Sequence, residues 1–258
     1  MTSRLPHHLA DLTFEELTEV LRSSPAVALV PVGSVEPHGP HLPLHTDTTI
    51  SETCAVRAVD ALEQRGIRAV VAPSVPYGVT EYAQGFAGAI GVPPDLLTSW
   101  LRAIAERLLA TGFAHVCFIN NHLEPAHDAA VRAAVAGLPP GAGSVACPLT
   151  RRWGRTLSDE FKRGDCHAGR YETSLVLAAG KAVRDSAGAL PNVALSLSEA
   201  IKAGKSTFRE IGMERAYTGA PSEATREEGE DLYARLVTMV VTEVVEALEK
   251  RRDADAPR

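Results

Sequence analysis

Two short segments concentrate residues able to hold metal or move protons. GSVEPHGPHLPLHTD, from Gly33 to Asp47, packs Glu36, His38, His41, His45 and Asp47 together, and NNHLEPAHD, from Asn120 to Asp128, places His122 and Glu124 at one-apart spacing. Proline and glycine in the first segment exclude a regular helix, and an extended backbone there puts Glu36 and His38 on one side. Imidazole and carboxylate without thiolate suit zinc, manganese or ferrous iron, and Asp47 has two oxygens with which to bridge a pair of ions. Two such ions a few ångströms apart would activate water and polarise a carbonyl, so the expected chemistry is hydrolysis.

Each segment follows an apolar run. AVALVPVG after Pro25, IRAVVAP from Ile67, HVCFIN from His115 and SVACPL from Ser144 read as buried strands, rich in β-branched residues. Between them lie helices. Thr13 and Glu16 form a capping box, Thr48–Arg65 ends at Gly66, and Pro94–Thr111 opens on Pro-Asp and closes at Gly112. Strands alternating with helices call for parallel pairing through right-handed crossovers, with helices on both faces of one sheet. In such sheets ligands collect beyond the carboxyl ends of the strands, where both segments fall. Further on, GDCHAGRYETSLVLAAG reads as a loop turning into a buried helix, residues 185–222 as irregular chain suited to a lid or a subunit contact, and residues 224–251 as a long helix whose terminal charges match its dipole.

The segments GSVEPHGPHLPLHTD, NNHLE and HAGRYETS resemble, in order and over nearly the whole chain, the three signatures of the creatininase family. The resemblance implies a creatininase-like three-layer α/β/α fold with a mainly parallel central sheet, as one domain over residues 1–258, assembled as a homo-oligomer, a hexamer by family habit. It also implies a binuclear centre of two divalent ions (Zn, Mn or Fe). Asp47 would bridge, Glu36 and His122 would serve one ion, and His38 and Glu124 the other. His167 would be the general acid/base with Glu124 beside it, Glu172 the buried helix carboxylate behind them, and His41 an outer support. The implied activity is hydrolysis of C–N bonds other than peptide bonds, on a cyclic amide or formamide-type bond of a small metabolite.

The wording departs from the family at places facing substrate. Asn121 and Pro125 replace a glycine and an asparagine, Leu123 stands where creatininase has an aromatic residue, and Arg163-Gly164-Asp165 precedes His167 in place of a Trp-Asp pair. Creatinine is therefore not the expected substrate; Leu123, Arg163 and Asp165 become the substrate-contact candidates, and Arg163 points to an anionic one. Two other readings keep the fold: a metal-binding protein without hydrolytic activity in a biosynthetic pathway, and a metal-dependent lyase or cyclase.

Single residues also have plainer roles. His167 could cap the following helix, and Glu172 could pin the loop before it through backbone bonds. His45 is expected to be exposed or supporting, His127 to lie on a helix surface, and Trp153 to line a pocket or to pack. The four cysteines, Cys166 included, have no C-x-x-C pairing and are expected as buried, reduced thiols. A net charge of −6 with scattered arginines offers no phosphate-binding stripe, so nucleic acid is not an expected partner. No apolar run approaches a membrane span and the first residues lack a leader's apolar core, which makes a cytoplasmic protein without membrane contact the expectation. G-x-S-x-G, H-E-x-x-H, Walker and G-x-G-x-x-G motifs are missing.

Overall fold

A computed structural model describes residues 7–22 and 25–255; the first six residues of the stretch read for a leader lie outside it. A short helix α1 (Phe14–Arg22) leads to strand β1 (Ala26–Val32), followed by α2 (Thr46–Glu63), β2 (Arg68–Val71), α3 (Pro94–Thr111), β3 (His115–Asn120), α4 (Pro125–Val135) and β4 (Gly143–Ala146). Short helices α5 (Arg151–Gly154) and α6 (Asp159–Arg163) precede α7 (Arg170–Ala178), then α8 (Leu197–Lys202) and α9 (Phe208–Ile211), and the chain closes on α10 (Arg226–Asp255). The expected boundaries recur. Thr13 and Glu16 exchange their capping-box bonds at 2.8 and 3.3 Å, and α3 spans the expected residues.

The four strands form one sheet in the order β2-β1-β3-β4, every pair parallel. Val27 of β1 is level with His115 of β3, and Val32 with Asn120. Every residue of β1 and β3 is buried, so their side chains alternate between two apolar layers. Val27 and Leu29 face α2, α7 and α10, through Ile50, Leu175 and Val240; Ala28 and Val30 face α3 and α4, through Leu101 and Val131. Two helical layers thus sandwich the sheet. From β1 the chain crosses outward to β2 and then returns past β1 to β3. The carboxyl ends of β1 and β3 therefore flank the point where winding reverses, and a crevice opens between their outgoing loops.

Candidate metal centre

Both ligand-bearing segments leave the sheet at that crevice. Gly33 ends β1 against the first turn of α2: a Cβ there would lie 2.5 Å from the Thr48 nitrogen, so only glycine allows the approach. Helix α2 starts at Thr46, two residues earlier than its composition suggests, which puts Asp47 in the first turn, beside the β1 loop. The turn after Glu36 folds back on itself through Leu42 N–H to His38 O and Glu36 N–H to Leu44 O. Glu36, His38 and Asp47 therefore meet, and His122 arrives from β3.

The geometry around Asp47 is two-sided. Its Oδ1 lies 3.0 Å from His38 Nε2 and its Oδ2 3.1 Å from His122 Nδ1. Glu36 Oε1 is 3.3 Å from the same His122 nitrogen, while the Thr80 hydroxyl donates to Glu36 Oε2. The second carboxylate near His38 is Glu172 on α7, with Oε2 3.5 Å from His38 Nε2. Three ligand groups result: Glu36–Asp47–His122 and His38–Asp47–Glu172, which share Asp47, and Glu36–His38–His167.

The other atoms of His38 and His122 are spoken for. His38 Nδ1–H donates to the Glu36 carbonyl at 3.1 Å and His122 Nε2–H donates to the Val79 carbonyl at 2.6 Å, assignments that follow from the acceptors. Each ring thereby turns its other nitrogen to Asp47, His38 Nε2 in hydrogen-bond contact with Oδ1 at 3.0 Å, and a backbone carbonyl orients a metal-ligating histidine in the same way once that nitrogen gives up its proton. Asp47 Oδ2 is buried and makes no hydrogen bond, although His122 Nδ1 sits beside it. A carboxylate oxygen and a ring nitrogen facing one point without bonding each other is the geometry of two ligands of one ion. The residues present fit a bound divalent cation.

Charge in the centre follows from burial and crowding. Burial opposes a charge on His38, but Asp47 and Glu172 outweigh it and raise the ring to about 10. Burial also opposes a charge on Asp47, yet His38 and His122 hold it well below the usual carboxylate range. Glu172 moves up to about 8 through burial, in spite of the attraction of His38. Three carboxylates and two rings this close are stable in water-free surroundings only with bound protons or cations between them.

Glu124 lies apart from these groups. Its Oε1 accepts from the Glu81 N–H at 3.1 Å and its Oε2 from the Tyr82 N–H at 3.3 Å, and the nearest ring nitrogen, His122 Nε2, is 3.9 Å off and already engaged. Burial raises its carboxyl to about 7, against the pull of His122. His167 stacks between His38 and Phe208, both centroids at 4.5 Å, and donates from Nε2 to the Pro37 carbonyl at 3.0 Å, leaving Nδ1 3.8 Å from Glu36 Oε1. Burial and the neighbouring His38 charge lower its ring to about 4. Glu172 Oε2 also accepts the Ala168 N–H at 2.7 Å, so one oxygen pins the loop that carries His167 and faces His38.

The remaining candidates divide. His41 is buried, with Nε2 2.9 Å from the Thr173 hydroxyl, next to Glu172 in sequence, while His45 is exposed. Leu123 lines the cavity above the centre with Tyr82, Leu197, Ile201 and Phe208, a space of about 430 Å³ walled by α8 and α9 from the irregular 185–222 region. Arg163 and Asp165 pair with each other at 3.1 Å and neither lines that cavity. Cys166 is on its wall as a buried free thiol. Trp153 packs into the core and donates to Glu243 at 2.7 Å.

One residue departs outright from its expected place. His127, read as a helix-surface residue, is 0 % exposed, because α4 packs against the loop after β2. Its Nδ1 accepts the Val79 N–H at 3.1 Å, on the same residue whose carbonyl takes the His122 proton, and its ring meets His122 edge-on at 4.6 Å. Gly78 makes room: a Cβ there would lie 2.5 Å from His127 Nδ1. A histidine five residues past a candidate ligand carried no sequence signal beyond its type.

Residues 10–245 match the family model described as creatininase, creatinine amidohydrolase. The chain is 32% identical over 225 residues to a mycofactocin precursor peptide peptidase of Mycolicibacterium smegmatis, covering 84% of this chain and 83% of that protein. It is 24% identical over 121 residues to a creatinine amidohydrolase of Pseudomonas putida, 45% of each. A solved creatininase structure with Mn superposes with a TM-score of 0.73 at 18% identity, covering 94% of this chain and 98% of that one.

Proposed function

This chain belongs to the creatininase family of amidohydrolases, and we propose that it hydrolyses an amide bond in an elongated, peptide-like molecule at a binuclear metal centre. The observation that carries this reading is Asp47, whose two oxygens each face a different histidine whose other nitrogen is already tied to a backbone carbonyl. Glu36, Asp47 and His122 would hold one ion, and His38, Asp47 and Glu172 the other. Divalent cations bound there polarise a carbonyl and activate water. In this assignment Glu172 takes the ligand position that the signature spacing suggests for Glu124.

Glu124 is then free for proton transfer. Two backbone N–H groups hold its carboxylate on the cavity wall, and a carboxyl near 7 both takes a proton from water and returns it to a leaving nitrogen at neutral pH. His167, neutral and braced on the Pro37 carbonyl, turns its unprotonated Nδ1 toward the centre 3.8 Å from Glu36 Oε1 and closes the centre together with Phe208. Leu123, Tyr82 and Phe208 exclude water from the apolar part of the cavity. The small cyclic or formamide-type amide expected from the signatures would use the inner space alone and leave an adjoining groove without a use, which favours the longer substrate.

The test is metal content by elemental analysis beside turnover of a panel of peptide and cyclic amides in solvent enriched in heavy oxygen. Label in the product acid supports hydrolysis, and product without label would sink it in favour of a lyase. Glu172→Ala should lose one ion per chain, and Glu124→Gln should keep both while losing turnover. The reverse pattern would return Glu124 to the ligand set.

A further inference from the structure

The inner cavity does not end above the ligands. Leu123, Pro125, Cys166, Leu197 and Ile201 also line a second, wider groove of about 1340 Å³ that opens to solvent between the α5–α6 segment and α8. Its floor is apolar. Leu149, 41 % exposed, and Phe161 continue the greasy surface away from the centre.

The walls carry charge of one sign. Arg151 on α5, Arg155 just after it, Lys162 on α6 and Lys202 on α8 line the groove, and no carboxylate does. Arg151, Arg155 and Lys202 have no ion-pair partner among the described residues; Lys162 reaches the exposed Asp159 at 3.1 Å. In a chain of net charge −6 this is a local inversion, and a cleft lined by one sign over low-dielectric walls concentrates its field on whatever enters. Arg163, four residues before His167, is paired with Asp165 as Lys162 is with Asp159, so anion attraction falls chiefly to Arg151, Arg155 and Lys202.

We propose that this groove binds the part of the substrate beyond the scissile amide, and that this part is an acidic peptide segment. The proposal rests on the amidohydrolase reading of the centre for its placement. An extended peptide suits the groove's apolar floor and cationic walls, laying apolar side chains on Leu149 and Phe161 and presenting carboxylates to the walls. The cations come from separate helices along the groove, which suits several spaced carboxylates better than one phosphate group, whose oxygens need converging donors.

The test uses full-length Glu124→Gln protein, so that turnover does not consume the probe. Two fluorescein-labelled peptides of equal length and apolar content are titrated by anisotropy, one with three glutamates and its twin with three glutamines. The acidic peptide should bind about tenfold tighter at low ionic strength, and about 0.5 M salt should erase the difference. Arg151→Glu with Lys202→Glu should abolish the preference, each reversal weakening binding about two- to fivefold. Arg65→Glu, the same charge change as either single reversal but at the amino-terminal end of the sheet, should leave it intact.

In otherwise wild-type enzyme the double reversal should raise KM for a cleavable acidic peptide, and Arg65→Glu should leave that KM unchanged. Equal affinity for the twins, or a preference that survives the double reversal or falls equally in Arg65→Glu, overturns the groove assignment. Charge-dependent binding without hydrolysis of any amide would overturn the amidohydrolase reading and leave the groove assignment standing.

Discussion

Glu160 offers a sharp test of how the loop carrying His167 is held. It is a buried carboxylate outside the ligand groups, and it accepts three backbone N–H bonds: Oε1 from Arg170 at 3.1 Å and Ala220 at 2.8 Å, Oε2 from Tyr171 at 2.7 Å. Arg170 and Tyr171 open α7, where N–H groups have no partner within the helix. Ala220 ends the chain returning from α9. The backbone has closed around this side chain, since a Cβ on Gly219 would lie 2.1 Å from Oε1. Glu160→Ala strands three buried donors. At about 1–2 kcal/mol each the loss is about 3–6 kcal/mol, a large part of the ~5–15 kcal/mol that holds a domain folded. Glu160→Gln keeps one oxygen but turns an amide NH₂ toward a donor, and about half that loss is expected. Urea unfolding followed by circular dichroism measures both, with and without added metal. Because α7 carries Glu172 and follows His167, Glu160→Ala should also retain metal less well. A loss under about 1 kcal/mol in Glu160→Ala would refute the reasoning, for it would mean that the three donors find water or new partners at no cost.

Other outcomes follow from the same geometry. Glu124→Gln should lower kcat by about 10²–10⁴-fold and abolish the rise in rate as pH climbs through about 7, the range in which its raised carboxyl ionises; an unchanged pH–rate profile would refute the assignment. His38, raised to about 10 in the metal-free protein, is protonated at neutral pH and must lose that proton to bind a cation. Metal affinity should accordingly climb about tenfold per pH unit for each proton displaced, until the pH approaches 10. Calorimetric titrations at pH 7 in two buffers of different ionisation heat count those protons, and finding none released would contradict the charge pattern. His127→Ala removes the acceptor that fixes Val79, and so loosens the carbonyl that sets the His122 tautomer. About tenfold weaker metal binding is expected beside a stability loss of about 1–2 kcal/mol for the stranded Val79 N–H, and unchanged affinity would make His127 a packing residue only.

How much of this was legible before the structure depends on how far apart in sequence the causes lie. The capping box, the Pro-Asp start and glycine stop of α3, and the β-branched runs are local, so strands and helices fall close to their expected bounds. Parallel order followed from alternation, and the placement of both signature segments at one sheet edge followed from parallel order. The early start of α2 had no such local sign: Thr46 is held by its hydroxyl bond to the Pro43 carbonyl, and β1 closes against the helix only because Gly33 lacks a side chain.

The sequence by itself determined the elements, the family and the inventory of chemistry: which carboxylates and imidazoles exist, and that they gather past two strand ends. Only the tertiary structure decided their partners. Glu124 and Glu172 are the same side chain in two signature segments, yet one is held by the N–H groups of Glu81 and Tyr82 and the other faces His38 across the crevice. His127 and the cation-lined groove belong to the same class of fact. The reason is physical: periodicity and caps act within a few residues, whereas a side chain's partners come from segments 40 or more residues away, as Glu124 and Tyr82 or His38 and Glu172 do. The packing of α4 and α7 onto the sheet decides which of those segments arrive.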